Sequence, residues 1–299
     1  MGDEIVLKDG RLYGPWRRPR NLHNEIPGSI HDDRTAQKLG FRGGTVAGNI
    51  HFEMLVPILL KAFGPRWFER GTLSIDFKYA TVDGEDVRGI IDMPPEGATN
   101  AQVAVLMERP TGEVVGVGTA SVGNPMAKTW LASKDLTKYE KGEYNILRDV
   151  SPGDRFPIEK VTITKRMAEE RMRVTTDPLP WYAGDSPWGG PILTPTVLVG
   201  ALATAYGPYL QEHRVAAVGL YGAIEIRNIN GPIFVDQAYT TSGKVIARGQ
   251  SPKTEYIWYE TYLNDARGRL IAEMLMQLRF MKGSAELLPS TRATEKERA

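Results

Sequence analysis

Two turns of the chain carry ionisable side chains shortly before a pair of glycines. His31 precedes Gly43-Gly44, and Asp177 and Tyr182 precede Gly189-Gly190. A histidine whose pKa stays near its ordinary value of about 6.5 can accept or donate a proton at neutral pH. A carboxylate can orient a water molecule or act as the partner of such a base. These residue types therefore predict proton-transfer chemistry at the turns.

Each glycine pair leads into an apolar helix that must position these side chains. The first helix is predicted over 48–63 and the second over 194–206, and both stop at an aromatic-Gly-Pro sequence. Glycine just past a helix end, followed by proline, is a typical stop signal. Pro57 is expected to kink the first helix. Its apolar residues recur at helical spacing: Ile50, Met54, Leu55, Ile58, Leu59 and Ala62.

The similarity between the two halves continues beyond the helices, which indicates an internal duplication. Ile75-Asp76-Phe77-Lys78 follows the first helix and Ile224-Glu225-Ile226-Arg227 follows the second, both in the order apolar, acid, apolar, base. A pair of long strands then follows in each half. The fold class predicted is α+β, with each half an antiparallel sheet wrapped around a central helix. The predicted division is 1–123 and 154–281 for the halves, 124–153 for a linker and 282–299 for a disordered tail.

Composition and charge exclude several function classes. The 299 residues carry a net charge of +1 and no cysteine. We therefore expect no nucleic-acid partner, no disulfide and no thiolate metal site. No apolar stretch is long enough to span a membrane and the start is not typical of a signal peptide, so a cytoplasmic protein is expected. The histidines lack ligand spacing, and neither a metal nor a cofactor is predicted.

The residues around both turns resemble the MaoC-like, R-specific enoyl-CoA hydratases and dehydratases, whose fold is the hotdog. Asp177-Pro178-Leu179-Pro180-Trp181-Tyr182 is similar to the D-x-N-P-x-H signature of that family. The first half resembles the same segment through His31-Asp32-Asp33 and Gly44-Thr45-Val46-Ala47-Gly48. The resemblance covers about residues 20–281 and implies a tandem, or double, hotdog.

The chain departs from the family pattern in both halves. The pattern places an acid five residues before a histidine. Asp177 fills the acid position of the second half, but Tyr182 stands where histidine belongs. His31 fills the histidine position of the first half, but Ile26 occupies the place of the acid, with Glu25 next to it. Three alternatives remain: Glu25 works with His31, Asp177 reaches the other half at the interface, or the chemistry has changed.

The resemblance implies addition or removal of water at an α,β-unsaturated acyl thioester, with CoA as the expected carrier. Such a reaction needs a base, an acid and donors for the charge on the thioester oxygen. The candidate catalytic residues are His31, Asp177 and Tyr182. Gly48 matches the glycine of the family at the helix start, whose N–H groups would form the oxyanion site. The candidate substrate-binding residues are His51, Glu53 and Glu25.

Other functions and structural roles stay open. A thioesterase on the same scaffold would depend on Glu53 or on an aspartate at the helix. A third possibility is a non-catalytic acyl-binding protein or a subunit of a heteromer, and a homo-oligomer is also possible. His31 could simply cap a loop, Asp177 could be a turn residue, and Tyr182 could be a buried aromatic. Asp32 and Asp33 are expected to be charges at a helix start.

Overall fold

The computed structural model describes residues 4–288. In the first half, the strands are β1 (Val6–Lys8), β2 (Arg11–Tyr13), β3 (Gly71–Phe77), β4 (Arg88–Asp92), β5 (Ala101–Glu108) and β6 (Val114–Val122). The helices of this half are α1 (Asp33–Lys38), a 3₁₀ helix (Gly48–Leu55), α2 (Val56–Phe63) and α3 (Arg66–Arg70). β5 and β6 are the pair of long strands predicted for the first half.

The second half repeats this plan with longer strands. They are β7 (Arg155–Thr162), β8 (Gly219–Asn228), β9 (Ala238–Gln250), β10 (Thr254–Asp265) and β11 (Leu270–Met281). The helices are α4 (Lys165–Met172), α5 (Pro195–Ala203) and α6 (Tyr206–Glu212), with 3₁₀ turns at Pro180–Tyr182 and Ala285–Leu287.

All eleven strands form one antiparallel sheet in the order β1-β2-β4-β5-β6-β3-β8-β11-β10-β9-β7. The strands of each half lie together, and β3 and β8 join them at the centre. These are the two strands that carry the repeated four-residue pattern, and Ile75 lies opposite Ile224 in their register. The repeated strands thus pair with each other across the middle of the molecule. The domain bounds at 123 and 154 stay predictions.

The central helices differ from the prediction at two prolines. Residues 48–55 are a 3₁₀ helix, and α2 starts at Val56, so Pro57 lies in the first turn of an α-helix rather than at a kink. Proline is tolerated there because the first N–H groups of a helix have no intrahelical partner. Gly64 ends α2 with φ +66°, as predicted. The second stop is wrong, because Tyr206, Gly207 and Pro208 form the first turn of α6.

The segment 124–153 forms turns and bends, and its later part is tied to the second half. Leu131 and Leu147 are fully buried. The carboxylate of Glu255 accepts hydrogen bonds from the backbone N–H groups of residues 145, 146 and 147, at 2.9 to 3.0 Å. A buried carboxylate that gathers three backbone donors fixes the path of an otherwise irregular segment.

The predicted disordered tail needs a correction for its first part. Ser284 is buried, its hydroxyl accepts a hydrogen bond from the Val218 N–H at 2.8 Å, and residues 285–287 form the 3₁₀ turn. Leu287 and Leu288 pack beside Ile30 and Val218. Apolar side chains in a charged tail can therefore order it when a hydrophobic surface is adjacent. The rest of the predicted tail, 289–299, lies outside the described residues.

Candidate active site

A cavity of about 470 Å³ lies at the seam between the halves. The first half contributes the loop around His31, the start of the 3₁₀ helix and the end of β3. The second half contributes parts of α6, β8 and β11. The walls include His31, Thr45, Gly48, His51, Phe77, Lys78, Tyr206, Leu210, Tyr221 and Arg279. Aromatic and aliphatic walls with a few polar groups are typical of small-molecule sites.

Backbone contacts hold His31 at this cavity. Its ring Nδ1 lies 2.6 Å from the carbonyl oxygen of Thr45, and its own carbonyl accepts a hydrogen bond from Asn21 Nδ2 at 2.7 Å. Any side chain at Gly44 would collide with the His31 carbonyl, which explains the second glycine of the pair. Since a carbonyl only accepts, Nδ1 carries the proton and Nε2 has the lone pair. Burial lowers the pKa of His31, which favours this neutral form.

The two aspartates after His31 have structural roles, as expected. The Asp32 carboxylate caps α1 by accepting from the Thr35 N–H at 2.8 Å. Asp33 accepts from the Gly44 N–H at 2.7 Å. Both carboxylates therefore fix the loop that carries His31, one through the following helix and the other through the glycine pair.

A second cavity of about 580 Å³ adjoins the first at His31. The two cavities share His31, Ala47 and Tyr221 as wall residues. The second cavity is also lined by His23, Arg171 and residues of α5. Sequence reasoning assigned no role to His23 or Tyr221, because neither lies in a repeated motif. His31 thus lines two cavities, and residues of both halves form each of them.

The first central helix begins at the cavity without a cap. Ala47 occupies the N-cap position, and no side chain of the described part of the chain caps this helix start. Gly48 lines the cavity, and a Cβ there would come within 2.6 Å of the Phe77 ring. Gly48 is therefore needed for close packing as well as being available for the predicted oxyanion role. An uncapped helix start favours negative charge nearby.

The start of the second central helix is occupied by protein side chains. Glu53 Oε1 accepts from the Thr196 N–H at 3.0 Å, and the Thr194 hydroxyl accepts from the Val197 N–H at 3.2 Å. The Thr196 hydroxyl donates to the Asn49 carbonyl at 3.0 Å. Glu53 therefore caps α5 rather than lining either cavity, contrary to the substrate-binding role expected for it. Burial raises the pKa of Glu53.

Asp177 lies away from the His31 cavities. Its carboxylate makes a two-pronged contact with Arg17, with Arg17 Nη2 to Asp177 Oδ1 at 2.7 Å and Arg17 Nε to the same oxygen at 2.9 Å. Its side chain is 9% exposed and lines a separate open depression with Arg17 and Pro57. The structure thus does not bring Asp177 and His31 together. A catalytic role for Asp177 stays a prediction without support from this geometry.

Tyr182 and Glu25 also lie outside the cavity walls. Tyr182 is 2% exposed, and its hydroxyl has no hydrogen-bond partner among the described atoms. Burial first, and then the charges of Glu53 and Asp177, raise the pKa of this hydroxyl. Glu25 is exposed on its loop, and Ile26 at the position of the family acid is 51% exposed. The pairing of Glu25 with His31 therefore lacks the expected geometry.

His51 does line the first cavity, as expected for one of the two helix residues. Its Nε2 lies 2.9 Å from the Thr81 hydroxyl, and the side chain is buried. Burial lowers the pKa of His51 to about 4, against the opposite effect of the Ala47 and Gly48 carbonyls. The imidazole is therefore neutral at pH 7 and serves as a polar wall rather than a charge.

Between residues 4 and 288, no group of three or more acidic or histidine side chains is placed to hold a metal ion. Over the same residues, no helix is both long and apolar enough to cross a bilayer.

No protein-family model and no curated protein matches the sequence. Solved structures do match. A MaoC domain protein dehydratase from Chloroflexus aurantiacus J-10-fl has a TM-score of 0.61 at 13% identity, over 90% of this chain and 93% of that one. A conserved hypothetical protein from Mycobacterium tuberculosis with a double hotdog fold has 0.57 at 11%, over 94% and 97%. A MaoC-like dehydratase has 0.53 at 14%, over 93% and 98%. The predicted fold is confirmed: the chain is a double hotdog, the fold of proteins described as MaoC-like dehydratases.

Proposed function

We propose that the chain is a hydratase or dehydratase that adds or removes water at an α,β-unsaturated acyl thioester. The observation that carries the proposal is that one cavity at the seam contains both the neutral imidazole of His31 and the uncapped helix start at Gly48. A base and a site for developing negative charge are two of the requirements of this reaction, and the third, an acid for the α-carbon, is met once the base has taken up a proton. The overall likeness to MaoC-like dehydratases in fold is compatible with it.

His31 acts as the base in the hydration direction. Its Nε2 takes a proton from water while the water oxygen bonds to the β-carbon, and the electron pair of the double bond moves onto the thioester as an enolate. The N–H groups at the helix start near Gly48 stabilise the enolate oxygen. The α-carbon then takes the proton from His31, so one water adds and the imidazole returns to its neutral form. Dehydration follows the same steps in reverse.

The carrier of the acyl group is proposed to be CoA. Lys78 and Arg279 are cationic residues in the cavity wall, and Lys78 also contacts Asp76 at 2.7 Å. Cations there would attract the phosphates of a nucleotide carrier. The location in the cytoplasm and assembly into a homo-oligomer also stay predictions.

The test is a spectrophotometric assay of the purified chain with trans-2-enoyl-CoA esters of several lengths. Hydration removes the conjugated double bond, so the absorbance of the enoyl thioester falls. Free thiol is measured in parallel, because a thioesterase releases it and a hydratase does not. Absence of both signals at every chain length would contradict the proposal and would favour a non-catalytic acyl-binding protein.

No observation favours the thioesterase alternative. It relied on Glu53 or on an aspartate at the helix. Glu53 is bonded to the Thr196 N–H and buried, and the Asp177 carboxylate is paired with Arg17. Neither carboxylate lines the cavity that holds His31.

A further inference from the structure

The family acid is missing beside His31, but a second imidazole is present. The ring centroids of His23 and His31 are 5.7 Å apart, with the planes at 53°. Both rings line the 580 Å³ cavity, which also reaches the start of the first central helix at Ala47 and Asn49. At this centroid separation, ring nitrogens that face each other are close enough for one water to bond to both, at about 2.8–3.0 Å from each.

One side chain sets the spacing of the two histidines. Asn21 Oδ1 accepts a hydrogen bond from the backbone N–H of His23 at 3.1 Å, and Asn21 Nδ2 donates to the backbone carbonyl of His31 at 2.7 Å. The Asn21 N–H is itself held by Asp83 Oδ1 at 2.7 Å. Asn21 therefore bridges the two segments of backbone that carry the imidazoles, which keeps His23 at the cavity although it lies on an irregular loop.

The charges around the pair favour two neutral rings. Burial, followed by Arg171 of α4 and then by His31, lowers the pKa of His23. Burial lowers the pKa of His31, while the Thr45 carbonyl opposes it. Lys160 of β7 and Glu170 of α4 are the other charged residues in the walls of this cavity. A neutral imidazole has a nitrogen that can accept a hydrogen bond from water.

We propose that His23 is the second proton-handling residue of the site and orients the water that His31 deprotonates. This inference rests on the proposed function. The His23 ring accepts a hydrogen bond from one O–H of the water, and His31 Nε2 takes the proton of the other. The bonds that form and break are those of the hydration step, with no further reactant. His23 thus fills the role that Ile26 and Glu25 cannot fill from their exposed positions.

The first test needs no substrate. The imidazole protons of the four histidines are followed by NMR through a pH titration of wild type, His31→Gln, His23→Gln and His213→Gln. Loss of either member of the pair should raise the pKa of the other, because each charged ring disfavours the charge on its neighbour. His213 lies beside Asp154 and Tyr209, and its replacement should leave both values unchanged. A pKa of His23 that does not move in His31→Gln would overturn the inference.

The second test measures turnover. We expect His23→Gln to lower kcat by about 10²-fold, the lower end for loss of a proton-handling group, and to change the acid limb of the pH profile. His23→Asn provides a second variant if the first does not fold. If wild type is active and the His23 variants are equally active, the inference is overturned and the proposed function is not. Wild type without hydratase activity would overturn the proposed function and, with it, the role of His23 toward water.

Discussion

The starts of the two central helices occupy corresponding places in the two halves but differ in what covers them. At the first, Gly48 meets a cavity and no described side chain caps the helix. At the second, Glu53 and Thr194 take up the N–H groups of Thr196 and Val197. One copy of a repeated site can therefore be closed by a side chain from the other copy.

The turns that precede the helices differ in the same way. The first keeps an imidazole at the cavity, held by backbone groups on both sides. The second carries a carboxylate bonded to Arg17 and a tyrosine that is buried without a partner. The pairing of Asp177 with Arg17 and the burial of Tyr182 favour the first half as the place of the proposed reaction.

The largest expected effect is a difference in kcat between variants of the two turns. His31→Gln should lower kcat by about 10²- to 10⁴-fold because the base is lost. Asp177→Asn should leave kcat nearly unchanged and lower Tm, because the ion pair between Asp177 and Arg17 is lost. The assay is enoyl-CoA hydration, with Tm measured for both variants. If both variants fold properly and lose activity to the same extent, residues of both turns take part in one reaction.

The next effect concerns pH and the first helix. The pKa of His51 is about 4 in the folded chain and about 6.5 when unfolded, so the unfolded chain binds more protons between these values. Stability from this group is therefore full above pH 6.5 and falls by about 3 kcal/mol as pH drops to 4. In His51→Gln this fall should disappear. Denaturant unfolding from pH 4 to 7.5 measures it, and parallel curves for the two proteins would contradict the burial argument.

A pair of glycine variants compares the packing of the two helices. Gly48→Ala places a methyl group against the Phe77 ring and should cost about 1–3 kcal/mol. A Cβ at Gly200 in α5 meets nothing within 4 Å, and Gly200→Ala should stabilise by up to about 1 kcal/mol through helix propensity. Both are measured by denaturant unfolding. If Phe77→Leu restores the stability lost in Gly48→Ala, the Phe77 ring is the cause of the loss.

Glu53 should show a pH dependence opposite to that of His51. Its pKa is raised by burial, so the folded chain binds more protons above pH 4.5 and stability falls as pH rises through the folded pKa. Glu53→Gln keeps an oxygen for the Thr196 N–H and removes the charge. The variant should gain stability relative to wild type as pH increases above 4.5. A difference that stays constant with pH would mean that the carboxylate is ionised throughout.

The smallest effect is a shift in the pH profile of activity. Burial lowers the pKa of His31, so the acid limb of kcat/KM should have its midpoint below 6.5. The profile of the free enzyme is measured with one enoyl-CoA. A midpoint above 6.5 would show that a neighbouring charge, rather than burial, governs the base.

The strands, the duplication and the helix stop at Gly64 could be predicted because they depend on local patterns. The pairing of Asp177 with Arg17 could not, because the two residues are 160 positions apart and nothing local signals an ion pair. The same holds for His23, whose backbone is bonded to Asn21 near the cavity. The 3₁₀ form of residues 48–55 could not be read either, since apolar spacing does not distinguish it from an α-helix.

The union of β3 and β8 in one polypeptide has a consequence for how the protein can change. In an assembly of two identical chains, every substitution enters both copies of a site. Here a substitution enters once, so a carboxylate that blocks one helix start leaves the other intact. In the fused chain, the two sites can therefore change independently. One of them can lose its function and serve only to stabilise the fold.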